Sequence, residues 1–265
     1  MPMTRADLLA TAQRSLTAAA AHDREGWIGL FTADGRVEDP VGSRPHRGRV
    51  AIGHFYDTFI GPRAITHHPD VDLVVGTTVL RDLELEIQMA SALTMRVPTF
   101  IRYDLKTEND ELRVAALSAY WELPAMIGQF ARGGLAAVPA GIALGRTMFA
   151  NQGLSGSLGF LSGFHGLGTG GKGLFARFLD EACGGDQIGV RRLAADAPIT
   201  LGDTEALTTS DLVKHLSGGT WGKLIRSGRA VAARIDRDGR RSVLIADLGA
   251  DRVALSRIRL FGEMR

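Results

Sequence analysis

The residue best suited to chemistry is Asp39, in the run Arg36-Val37-Glu38-Asp39-Pro40-Val41-Gly42-Ser43. Pro40 has no backbone donor and biases Asp39 away from helical geometry. Gly42 permits the turn that follows. A carboxylate fixed at the end of a strand, with apolar segments around it, suits general-base work, although Asp-Pro pairs also simply close turns. His67 and His68 precede Pro69 and Asp70. Adjacent residues of a strand point to opposite faces, so at most one of these histidines enters a cavity. That run lacks a convincing third ligand, and no metal and no cofactor are expected. A second carboxylate facing Asp39 would widen the chemistry to acid–base pairs. Asp82, Glu84 and Glu86 share one candidate strand, and alternation along it decides which side they face.

The elements that must hold Asp39 read as follows. Residues 5–21 place Leu8, Leu9, Ala12 and Leu16 at helical spacing. A second short helix begins at Trp27 and ends near Asp34-Gly35, where glycine fits a helix C-terminus. Arg36–Asp39 follows as a strand, and Ser43–Arg49 as a turn. Residues 50–59 form a third helix with Ile52, Phe55, Tyr56 and Phe59 on one face. Strands are predicted over 71–75, 78–87, 93–103 and 112–121, each rich in branched or aromatic residues. Three helices followed by a curved antiparallel sheet is an α+β pattern. The cone-shaped cavity between them would be lined by those aromatic and aliphatic residues.

At 265 residues the chain suits one large domain or two ordinary ones, and 45% apolar residues suffice for a core. A net charge of +2 without a basic stripe argues against a nucleic-acid partner. The single cysteine, Cys183, fits a reducing compartment. Arg5, Asp7 and Arg14 interrupt the apolar N-terminal residues, so no signal peptide is read there and a cytoplasmic location is expected. The stretch 147–171 has no Asp, Glu, Lys or Arg and is dense in glycine. It reads as a linker with packed helical pieces, or as an apolar flap over a lipophilic ligand or against a membrane surface. Residues 173–265 repeat the earlier order: helix at 174–179, short helix at 188–193, strand at 195–201, helix at 210–216, then strands at 224–235, 242–248 and 253–261. The period is too long for a solenoid and implies domain duplication. The expected organisation is 1–124, a linker or lid over 125–172, and a degenerate second copy over 173–265. That makes tandem cone-shaped α+β barrels, a pseudo-dimer within one chain, acting as a monomer or as a homodimer.

The run LFTADGRVEDPVGSRPHRGRVAIGHFYDTFI and the strand LSAYWE at 117–122 resemble the ketosteroid isomerase family, a SnoaL-like branch of the nuclear transport factor 2-like superfold. The resemblance covers roughly residues 8–124, and the ending IRLFGE is similar to a closing strand of the same family. It implies an Asp general base that moves a proton beside a ketone, with a Tyr and a protonated Asp stabilising the dienolate. By position the base falls on Asp39. The two donor positions fall on Ser15 and Thr99, which carry only short hydroxyls, and Tyr56 matches a supporting tyrosine. Phe31, Phe55, Phe59, Phe100 and Trp121 would line the substrate site. The expected partner is a lipophilic steroid-like or polyketide-like ketone. Epoxide opening or cyclisation of the polyether type, and plain lipid or steroid binding, are the alternatives.

Overall fold

A computed structural model describes residues 3–90, 93–132, 142, 146, 170–250 and 254–263. The chain divides into two compact units, Met1–Asp72 with Thr77–His165, and Gly166–Arg265 with the short stretch Leu73–Gly76. Both are α+β, and each carries one six-stranded sheet.

In the first unit, helix α1 (Arg5–Ala20) starts at a capping box in which the Thr4 hydroxyl accepts from Asp7 N–H. Leu8, Ala12, Ser15, Leu16 and Ala19 recur at helical spacing and form its buried stripe. Helix α2 (Arg24–Gly29), strand β1 (Phe31–Glu38), strand β2 (His46–Arg47) and helix α3 (Gly48–Phe55) follow, and α3 runs on into one wider π turn at Tyr56–Ile60. Strands β3 (Ala64–Val75), β4 (Thr78–Ala90), β5 (Leu93–Glu108) and β6 (Glu111–Tyr120) complete the sheet, ordered β2-β1-β6-β5-β4-β3. Helix α4 (Leu123–Arg132) comes next.

Several sequence expectations need correction here. The second helix stops at Gly29, and Phe31–Gly35 belongs to β1. Phe31, Thr32 and Gly35 are buried against the sheet, and β1 gains backbone partners from β6 that a longer helix would forfeit. The sheet is mixed, because β1 runs parallel to β6 while β3–β6 form an antiparallel meander. Strands β3 to β5 are also longer than expected, so His67 and His68 lie inside β3 rather than ahead of it.

The second unit repeats this order with helices α5 (Gly170–Gly184), α6 (Gln187–Ala194) and α7 (Thr209–Leu216) and strands β7 (Ile199–Leu201), β8 (Glu205–Ala206), β9 (Thr220–Ser227), β10 (Ala230–Arg237), β11 (Arg240–Leu248) and β12 (Leu255–Phe261). Its sheet order, β8-β7-β12-β11-β10-β9, matches the first unit strand for strand. Phe175, Phe178, Leu179, Val190, Leu212 and Leu244 centre its core. The predicted single strand at 224–235 is two strands. Ser227 pairs with Ala230 across a two-residue turn in which Gly228 has φ +57°. Most of the segment 125–172, including the expected flap at 147–171, lies outside the described residues. No described helix is long and apolar enough to cross a membrane.

Candidate functional site

Asp39 sits one residue beyond the end of β1. Its neighbour Glu38 pairs with Ser118, and the Val41 N–H donates to the Ala119 carbonyl at 2.8 Å. Those bonds fix Asp39 beside β6, and the Asp39-Pro40 peptide is cis. The Trp121 indole N–H donates to Asp39 Oδ1 at 2.5 Å. No hydrogen bond among the described residues occupies Oδ2. The Asp39 carboxyl is enclosed by protein, and what exposure the residue keeps faces a cavity of about 100 Å³. Phe55, Phe59, Leu85, Val97, Trp121 and Met126 are among the apolar residues lining it. Burial pushes the carboxyl up to about 6, and the Trp121 N–H, which favours the anion, limits the rise.

The sheet register shows what else faces this interior. Leu85, Ile87, Met95 and Val97 line the cavity, so the odd-numbered residues of β4 and β5 point inward. Asp82, Glu84 and Glu86 alternate to the other face, where Arg96 approaches Glu86 at 3.2 Å and His68 approaches it at 3.4 Å. None of these three carboxylates faces Asp39. His67 is the inward histidine of its pair. Burial, with Arg81 and His68 beside it, pushes its ring down to about 4, which keeps it neutral at physiological pH. The second charged residue of the cavity lining is Arg63, whose Nη1 donates to the Thr58 carbonyl at 2.5 Å.

The residues singled out from sequence separate into two sets. Asp39, Phe55, Phe59 and Trp121 line one cavity. Ser15, Thr99, Tyr56, Phe31 and Phe100 are buried elsewhere in the unit. Thr99 points inward on β5, but its hydroxyl donates to its own strand at the Val97 carbonyl, 2.9 Å away. Tyr56 packs beside Trp27, ring centroids 5.6 Å apart, and its hydroxyl is buried without a hydrogen-bond partner among the described residues. Phe31 packs on Trp27 at 4.9 Å. Phe100, an even residue of β5, alternates away from the cavity. Ser15 lies against the hydroxyl of Tyr103, a residue the sequence reading passed over.

Arg81 was also passed over. It is 4% exposed and inward-facing, and its Nη2 donates to Asp72 Oδ2 at 2.8 Å. A signal for it exists: Arg81 interrupts the alternating apolar series Val79, Leu83, Leu85, Ile87. A charge in the apolar stripe of a strand marks a buried polar site.

The same register compares the two units. Strand β6 ends at Tyr120, paired with Phe100, and β12 ends at Phe261, paired with Val243. Each is followed by one residue and a glutamate, Trp121-Glu122 and Gly262-Glu263. Counting back, Ala119 corresponds to Leu260, whose partner is Leu201. Leu201 therefore occupies in the second unit the place that Asp39 holds in the first, and Gly262 occupies that of Trp121.

Residues 12–108 match the family model described as SnoaL-like domain. Among solved structures, the chain is similar to RV0760c of Mycobacterium tuberculosis in complex with estradiol-17beta-hemisuccinate, at 25% identity over 44% of this chain and 95% of that one, TM-score 0.41. It is similar to the Delta 5-3-ketosteroid isomerase of Mycobacterium sp., at 27% identity over 45% and 96%, TM-score 0.41. A third similarity is to an LEH-like epoxide hydrolase of M. tuberculosis, at 16% identity over 50% and 96%, TM-score 0.42. The segment 12–108, which carries Asp39 one residue beyond its first strand, thus resembles a SnoaL-like domain over less than half of the chain.

Proposed function

We propose that the first unit transfers a proton on a lipophilic ketone, shifting a double bond of a steroid-like or polyketide-like substrate, with Asp39 as the general base. The observation that supports it is a carboxylate with one oxygen held by Trp121 and the other unbonded, at the wall of an apolar cavity. Burial raises this carboxyl to about 6, close to the pH at which a base must both be ionised and pull strongly. A cavity of about 100 Å³ is small beside the ~300–1,000 Å³ typical of drug-sized ligands, so it receives one end of the substrate. Arg63 at the same lining suits a polar or anionic group on that substrate.

Opening an epoxide with an acid–base pair of carboxylates receives less support, because Asp82, Glu84 and Glu86 all face away from Asp39. The test is the absorbance change of a 3-oxo-Δ5-steroid as its double bond moves into conjugation. Turnover is expected in the native chain, with a rate that rises with pH through about 6. Turnover in Asp39→Asn equal to the native rate overturns the assignment. Binding of the steroid with no turnover in the native chain favours a carrier role instead.

A further inference from the structure

The family's two oxyanion donors fall on Ser15 and Thr99, and Thr99 spends its hydroxyl on the Val97 carbonyl. An enolate formed by Asp39 needs donors placed where its oxygen charge develops. Two side chains on the inward face of the sheet hold donors in reserve. The Tyr103 hydroxyl is buried and lacks a hydrogen bond of ordinary geometry, although Ser15 lies beside it. Arg81 is 4% exposed and gives only Nη2 to Asp72, leaving Nε and Nη1 buried and without partners among the described residues. Buried donors without partners are costly and rare in folded proteins, and each calls for a reason.

The sheet register brings these groups to one level. Arg81 pairs with Ile101, and Ile101 pairs with Ala119. Asp39 stands beside Ala119 on the far side of β6. Asp39 and Arg81 thus occupy the two flanks of a single cross-strand row, and the small Ala119 separates Asp39 from Ile101 within it. Tyr103 lies two residues further along β5 and faces the same way. The charges of Arg81, Asp72 and Asp39 are all felt at its hydroxyl.

We propose that Tyr103 and Arg81 form the oxyanion-binding site of the first unit, receiving the carbonyl oxygen of a ketone whose adjacent carbon faces Asp39 Oδ2. This rests on Asp39 being the base. Asp39 removes the proton from the carbon next to the carbonyl, the electron pair moves to the oxygen, and the Tyr103 O–H and the free Arg81 N–H groups donate to that oxygen. Return of the same proton further along the conjugated system restores the ketone and the carboxylate, so no co-reactant is consumed. Asp72 positions the guanidinium through Nη2 and takes neither Nε nor Nη1.

The test compares three variants on a 3-oxo-Δ5-steroid: Asp39→Asn, Tyr103→Phe, and the uncharged pair Asp72→Asn with Arg81→Gln. Tyr103→Phe is expected to lower kcat about 10²–10³-fold with KM little changed. It should leave the melting temperature level or raised, since the hydroxyl removed had no hydrogen bond of ordinary geometry. The uncharged pair should lose kcat to a similar degree. A second readout needs no turnover: 4-nitrophenolate, an oxyanion mimic, titrated at pH 8 into Asp39→Asn protein with and without Tyr103→Phe. At least tenfold weaker binding without the phenol is expected. Equal binding, or no binding to either protein, overturns the proposal. So does native kcat in Tyr103→Phe and in the uncharged pair while Asp39→Asn is inactive, and that outcome leaves Asp39 standing as the base. Native kcat in Asp39→Asn removes the base assignment itself.

Discussion

The two units share one strand order, yet the place beside the closing strand holds a carboxylate in the first and Leu201 in the second. The neighbouring position changes with it. Trp121 donates to Asp39, whereas Gly262 has no side chain and the Ser242 hydroxyl fills the space a Cβ would take there. Carboxylate and indole are thus both missing from the matching positions of the second unit, although the sheet that holds those positions is intact. The cavity between α7 and the sheet also differs in character. It measures about 320 Å³ and is lined by charged groups such as Lys214, Arg237 and Arg240, with His215 and Ser242 3.2 Å apart. Sheet geometry alone therefore sets no chemistry, which resides in a few residues at fixed register positions.

The largest expected effect tests that contrast directly. Asp39→Asn should lower turnover of a 3-oxo-Δ5-steroid by about 10²–10⁴-fold, while Leu201→Ala leaves it unchanged. Equal losses in both would break the comparison. The same Asn variant should be more stable at alkaline pH. Burial raises the Asp39 carboxyl from 3.8 to about 6, so the folded state keeps a proton that the unfolded chain has already released. Stability falls as pH climbs through that window and the full cost is present above it, at most about 3 kcal/mol. Thermal melts of Asp39→Asn should thus exceed native at pH 8 and match it near pH 4.

Trp121→Phe removes the hydrogen bond that favours the anion. The rising limb of the pH–rate profile should move upward by about one to two units, as a bond of ~1.5–3 kcal/mol to a charged group requires. An unmoved limb would show that the indole only packs. Leu201→Asp places a carboxylate at the matching site of the second unit, where no indole donor stands. In an Asp39→Asn background it should restore no turnover, and denaturant melts should show a loss of ~1–3 kcal/mol for a poorly partnered carboxylate. The smallest effect probes a device that each unit uses at a different helix, the first helix of one and the third of the other. Helices α1 and α7 each begin with a Thr-x-x-Asp capping box, Thr4 with Asp7 and Thr208 with Asp211. Thr208→Ala should cost ~1 kcal/mol in the same melts, with steroid turnover unaffected.

Much of this was legible in the chain itself. Pro40 and Gly42 mark the strand end that carries Asp39, and branched residues bounded by polar turns mark the meander β3–β6. The repeated order of elements announces the second unit, and the strand register then places the Asp39 counterpart at Leu201. What escaped the sequence depends on distant pairing. Leu30 and Phe31 continue an apolar run that a helix would also use, and only the parallel ladder to β6 turns Phe31–Gly35 into strand. Trp121 was expected as a lining residue, but its N–H bond to Asp39 requires β1 and β6 to be neighbours. Arg81 breaks an apolar alternation visible in the sequence, but its place beside Tyr103 and level with Asp39 emerges only once β4, β5 and β6 are in register.

The bond from Trp121 also gives the Asp39 carboxyl a handedness. With Oδ1 held by the indole, only Oδ2 is left to lift a proton and to return it. An oxygen anchored on one side of a flat enolate reaches only the face that looks toward it. On the proposed chemistry, the hydrogen leaves and re-enters the substrate by the same face, so a single indole N–H writes the stereochemistry of the product.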